Sequence, residues 1–298
     1  MPNAVPPPPA PVLRSAPQGF ALWDLGFRPF YLLAGAFAVI TIACWVAQFA
    51  GTSGSHIYLA GPLWHAHEMI FGYAFAVITG FLFTAVRNWT GSPTPSGNTL
   101  AAIAVLWLAG RILVVTPWPA LAALADTAFA VAAAAGIAVP LIKSSNRRNY
   151  FFIGLLLAMG AVNLAFHLAM AHWIDLPVER DLQIGLDLIL FVIAVMGGRV
   201  IPMFTANTVP GSHPIRLVWV ERTALAAVLA LTICDLFGLP PTAVALMAAA
   251  AGISHAARLF LWQPWRTTSH PILWILHVSY AWIPIHLALR ALAAFGFV

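Results

Sequence analysis

Trp64-His65-Ala66-His67-Glu68-Met69, an uncharged run to Val86, and then Arg87-Asn88-Trp89-Thr90-Gly91 form the stretch that decides the fold class. The uncharged part, Met69 to Val86, has about eighteen residues, close to the roughly 20 that carry a helix across a hydrocarbon core. Arg87 with Trp89 is the cation-and-aromatic pattern of a membrane interface. At the opposite end two imidazoles and a carboxylate crowd into His65, His67 and Glu68. Ionisable groups set at membrane depth are costly unless they pair or hold a cation. The stretch therefore predicts a membrane-spanning helix that opens on a functional site.

The rest of the chain agrees. Of 298 residues, 61% are hydrophobic and 8% charged, with mean hydropathy +0.89. A soluble domain of this length could not solvate its surface with so few charges. A transmembrane barrel would alternate apolar and polar residues, and these runs do not. The expected fold is all-α, a polytopic integral membrane bundle. The net charge of +5 is no sign of a nucleic-acid partner, because the cations fall in the breaks between apolar runs, where they set orientation. Cys44 and Cys234 stand alone in apolar segments, which implies neither a disulfide nor a thiolate metal site. No P-loop, dinucleotide glycine fingerprint or nucleophile elbow is present, and the breaks are too short for a soluble catalytic domain.

Residues 1–22 form a proline-rich, disordered tail without the layout of a signal peptide, and 23–298 form the transmembrane domain. Within it, spans are expected near 30–49, 65–86, 99–115, 120–142, 150–172, 183–204, 219–237, 241–260 and 272–294. That is about nine helices, the third and fourth joined as a hairpin at Thr116-Pro117-Trp118-Pro119. Arg14, Arg28, Arg87, Lys143, Arg147, Arg148, Arg216, Arg258 and Arg266 collect on one side, while the opposite loops are poor in cations. The N-terminus is thus expected in the cytoplasm and Val298 outside. Phe83-Thr84-Ala85 with Asn88 and Gly91 is echoed by Phe204-Thr205-Ala206 with Asn207 and Gly211, a faint sign of a duplicated four-helix unit.

This topology sorts ligand-type residues by depth. His56, His65, His67, Glu68, Asp126, His167, His172 and Asp187 gather on the outer side. Imidazole is the usual ligand of haem iron, copper and zinc. His65 and His67 lie about 200° apart on an ideal helix, so a regular turn sends them to different partners. His65 with Met69, and His167 with Met170, share helix faces and would suit copper(I) or a His/Met haem iron, unless the methionines merely fill gaps. Glu68, Asp187 and Asn163 are placed to orient ligand histidines; Glu68 and Asp187 could equally pair with a buried arginine. Toward the cytoplasmic side, His277, with Tyr280 on its face, is the best further ligand candidate. His213 and His270 precede prolines in loops, and His255 and His286 lie within apolar segments. Arg199 either snorkels to head groups or meets a haem propionate.

Trp64-His65-Ala66-His67-Glu68-Met69, Gly80-Phe81, Thr84-Ala85, Asn88-Trp89-Thr90-Gly91 and Leu106-Trp107-Leu108-Ala109-Gly110-Arg111 together resemble the NnrS family. So do Gly26-Phe27-Arg28-Pro29-Phe30, Asn163 with Phe166-His167, Gly197-Gly198-Arg199-Val200-Ile201-Pro202 with Phe204-Thr205, and Trp274 with His277 and Tyr280-Ala281-Trp282. The resemblance spans about residues 24–290. It implies a bacterial inner-membrane protein that binds b-type haem and copper and serves the response to nitric oxide and nitrosative stress, often beside denitrification. Its small ligand would be nitric oxide or an iron-nitrosyl species. On that reading His65, His67, His167 and His277 bind cofactor, with metal held by His65, His67, Met69 and His167 and support from Glu68, Asn163, Asp187 and Arg199. The resemblance fixes no reaction. It also implies about twelve spans, the last carrying a histidine-rich stretch and a Gly-His-Thr-Gly-Arg motif, which this chain is expected to lack. The competing expectations are a proton- or ion-coupled transporter and a truncated relative without cofactor.

Overall fold

The computed structural model describes residues 21–51 and 58–297. Among them are nine long helices and no strand: α1 (Phe27–Phe49), α2 (Gly61–Thr90), α3 (Gly97–Leu113), α4 (Pro119–Lys143), α5 (Phe151–Met170), α6 (Val178–Thr208), α7 (Val218–Leu236), α8 (Pro241–Leu261) and α9 (Pro271–Ala294). Each expected segment is a helix. Seven are long and apolar enough to cross a membrane; α3 is shorter at 17 residues, and α7 carries Glu221, Arg222 and Asp235. Prolines open α4, α8 and α9, where the missing N–H is one the first turn leaves unbonded anyway. The turn after α3 is tight, and α3 and α4 pack on each other as the expected hairpin. Most of the proline-rich tail, and His56, lie outside the described residues.

The distribution of side chains is that of a body solvated by lipid. Val39, Ile40, Leu124, Ile253 and Ile272 are exposed, while His67, Glu68, Arg111, Asp126, Asn163, His167, Asp187, His255, Arg258 and His277 are buried. Apolar tails cost nothing on a surface facing acyl chains, whereas polar groups must find partners inside. Helix association in that solvent rests on close packing and interhelical hydrogen bonds. The aromatic core shows the packing: Phe30 meets Phe83 edge-on and lies 6.0 Å from Phe129, whose ring also meets Phe75 at 5.2 Å. Gly80 lets α1 approach α2, since a Cβ there would sit 2.8 Å from Phe30 Cβ. Gly80→Val should therefore force α1 off α2 and destabilise the bundle by about 1–3 kcal/mol. The measurement is the melting temperature of detergent-purified protein, and an unchanged value would refute this packing account.

One feature of α2 is not legible in its composition. Glu68–Ala74 winds as a π-helix between two α-helical parts. Such widened turns occur mostly at functional sites. Trp107 Nε1 donates to Gly72 O at 3.0 Å, so α3 braces a carbonyl of that stretch.

Candidate metal centre

The N-terminal turns of α2 and α4 and the C-terminal turns of α3 and α5 meet at one end of the bundle, as antiparallel neighbours must. Five buried polar side chains converge there: His67 and Glu68 from α2, Arg111 from α3, Asp126 from α4 and His167 from α5. Arg111 bridges the two acids. Its Nη1 donates to Glu68 Oε1 at 2.7 Å, and its Nη2 pairs with Asp126 Oδ1. Gly110, next to it, is obligatory, because any Cβ there would overlap Asp126 Oδ1.

The two imidazoles face the acids from the other side. His67 Nδ1 lies 2.9 Å from Glu68 Oε1, and its Nε2 lies 2.8 Å from Asn163 Oδ1 and 3.7 Å from Asp126 Oδ2. His167 Nε2 lies 3.2 Å from Asp126 Oδ2, and its Nδ1 lies 3.1 Å from the Tyr58 hydroxyl. Tyr58 stands in the connection before α2. Burial, and after it the charge of Asp126, push its hydroxyl pKa up to about 12, so it remains an O–H that can donate to His167 O at 3.4 Å while accepting from Nδ1. Phe71 and Phe166 wall the His67 ring at 5.2 and 4.9 Å.

This is the arrangement a metal ion requires. One ligand atom each from His67, Asp126 and His167 lie within 4.8 Å of one another, and all three residues are buried. Each imidazole is steadied through Nδ1 by an outer partner, Glu68 or Tyr58, which fixes its orientation and turns Nε2 inward. Asn163 Oδ1 offers a further oxygen. The charges support the same conclusion. Two carboxylates surround one guanidinium, leaving an excess negative charge in a medium that does not tolerate it. Both ring nitrogens of His67 face oxygen acceptors, although a neutral imidazole carries one N–H. One additional positive charge at Nε2, as a proton or a metal ion, resolves both conflicts.

Of the residues expected to bind metal, His67 and His167 are brought together across 100 residues of sequence. His65 is not part of the His67–Asp126–His167 group. His65 instead stacks on Trp45, with ring centroids 4.4 Å apart, and its Nδ1 is buried without a partner. That separation from His67 is the one the helical spacing required. Glu68 fills both roles open to it, steadying His67 and pairing with Arg111. Asp187 takes the ion-pair role, with Arg290 Nη1 at 2.7 Å. Arg199 donates to Asn149 Oδ1 at 2.8 Å beneath Trp89, Phe151 and Phe152. Sequence reasoning left Arg111, Asp126 and Tyr58 out of the ligand set. A lone arginine inside an apolar segment was the available signal for Arg111, and Asp126 stood at the right depth; nothing marked Tyr58.

His277 belongs elsewhere, on α9. Its Nδ1 donates to Leu273 O at 3.0 Å, so Nε2 carries the lone pair, and that atom is buried without a partner. The residue borders an apolar cavity of about 500 Å³ lined by Leu259, Trp265, Trp274 and Val278. His255 likewise has a buried Nε2 without a partner, and its Nδ1 meets the Tyr280 hydroxyl at 2.6 Å within a cluster that includes Arg258 and Glu221.

Apolar helices of membrane-crossing length around a buried imidazole–carboxylate cluster define a multi-pass membrane protein with a candidate metal centre. The sequence pattern of the NnrS protein family matches residues 21–298. The chain belongs to the NnrS family. No curated protein and no solved structure matches it.

Proposed function

We propose that this protein is a haem- and copper-binding component of the bacterial cytoplasmic membrane that serves the response to nitric oxide, with its N-terminus in the cytoplasm. The observation that carries the reading is the convergence of His67 Nε2, Asp126 and His167 Nε2 on one point, each ring steadied from behind. Imidazole and carboxylate donors suit copper(II) or iron better than copper(I), which prefers soft sulfur ligands. Haem fits the second place. His277 presents a free, buried Nε2 whose opposite nitrogen is tied to a carbonyl, beside an apolar cavity of drug-ligand size. A bound haem iron or copper ion would supply the open coordination position at which nitric oxide or an iron-nitrosyl species is held. The chain's own part is to fix ring orientation, exclude water with Phe71 and Phe166, and balance charge through Arg111.

The test is an absorption spectrum with metal analysis on protein purified from haem- and copper-replete cells. A Soret band is expected, and His277→Ala should abolish most of it while leaving copper bound. A colourless, metal-free preparation would overturn the proposal.

A further inference from the structure

We propose that α6, α7 and α9 hold a second ion site, separate from the metal centre, in which one proton is bound between the carboxyl groups of Asp187 and Asp235. Arg290 of α9 bridges these two acids as Arg111 bridges Glu68 and Asp126. Its Nη1 lies 2.7 Å from Asp187 Oδ1, and its Nη2 pairs with Asp235 Oδ2. Gln183, one turn before Asp187, donates to Asp187 Oδ1 at 3.2 Å. Asp187 is 1% exposed, and its Oδ2 is buried with no donor. The two carboxyl groups are thus held by the two nitrogens of one guanidinium. Two ionised carboxylates there would share a single positive charge.

Among the described residues, no further cation pairs with either acid. Cys234 beside Asp235 brings a thiol. His286, one turn before Arg290, has a buried Nε2 without a hydrogen-bond partner. Arg180 in the first turn of α6 lays its guanidinium against Gly238, just past the end of α7, and forms no described ion pair with either acid. From α8, packed against both α7 and α9, His255 and Arg258 are committed to Tyr280, and Arg258 also to Glu221. Two acids against one guanidinium therefore leave one negative charge uncompensated inside the bundle, where that is prohibitively unfavourable. A single proton on one of the two carboxyl groups cancels the charge. The same two-to-one ratio at the metal centre is relieved by imidazoles; here no imidazole touches the acids, so the proton must sit on a carboxyl group. Asp235 and Arg290 retain 11% and 12% side-chain exposure, which gives the proton a way in and out.

The experiment is infrared spectroscopy of the full-length protein in lipid at neutral pH. The expected result is a protonated-carboxyl C=O band that shifts in deuterium oxide and is lost in both Asp187→Asn and Asp235→Asn. If neither variant folds, wild-type protein labelled at the aspartate side-chain carboxyl gives the same answer, because the band should shift with the label. Absence of the band, or its survival in either variant, overturns the proposal. So does stabilisation of the wild type by sodium that Asp187→Asn abolishes, since the occupant would then be a metal cation. Neither outcome depends on haem or copper content.

Discussion

Arg111→Met is expected to prevent the protein from accumulating in the membrane, and any fraction recovered should melt far below the wild type. Arg111 is nearly the same volume as methionine, so little packing is lost. What is lost is the only guanidinium between Glu68 and Asp126, both buried. Removing one partner of a buried ion pair leaves an uncompensated charge and costs about 3–5 kcal/mol. Here two acids are abandoned at once, against a total stability on the order of 5–15 kcal/mol. The triple variant Arg111→Met, Glu68→Gln, Asp126→Asn removes the abandoned charges and should recover much of the yield. Membrane yield and thermal unfolding in detergent are the measurements. A single variant that melts within a few degrees of the wild type would show that the cluster is not the electrostatic keystone described above.

His167→Ala should reduce bound copper to background while the helical bundle persists. His67, Asp126 and His167 each offer a ligand atom within 4.8 Å of the others, so the loss of one ring removes one of the two imidazole donors. The fall in affinity should exceed the roughly 10–100-fold typical of losing an outer partner, the range expected for Tyr58→Phe. His67→Ala should match His167→Ala, whereas His65→Ala should keep copper, because that ring stacks on Trp45 instead. Binding should also weaken as pH falls, since a metal ion and protons compete for imidazole ligands in general. Equilibrium dialysis against copper(II), with metal analysis of the retained protein, distinguishes these variants. Equal copper loss in His65→Ala and His67→Ala would refute the assignment of the centre to one face of α2.

Much of the site was legible as depth and little of it as partnership. Apolar length alone placed Glu68 and Asp126 near helix starts and His167 near a helix end, hence at one end of the bundle. The 3.6-residue period alone separated His65 from His67. It could not say which of the two faced α5, because these helices are apolar nearly all round. A soluble helix reveals its inner face by a hydrophobic stripe; in lipid both faces are apolar, and rotation about the axis leaves no mark. The π-helical turn of Glu68–Ala74, which shifts the phase of α2 just where the ligands lie, was hidden for the same reason.

By itself, then, the sequence determined a lipid-solvated helical bundle of the NnrS family, the approximate stretches its helices occupy, and the end at which its imidazoles and acids collect. Those follow from local composition, since the transfer of an apolar run into hydrocarbon depends on that run alone. Only the tertiary structure decided that Arg111 joins Glu68 to Asp126, that His67 and not His65 meets His167, and that Asp187 shares Arg290 with Asp235. Each of those is a contact between helices, fixed by axial rotation and by the requirement that buried charges balance across the bundle, and neither quantity is a property of any one segment.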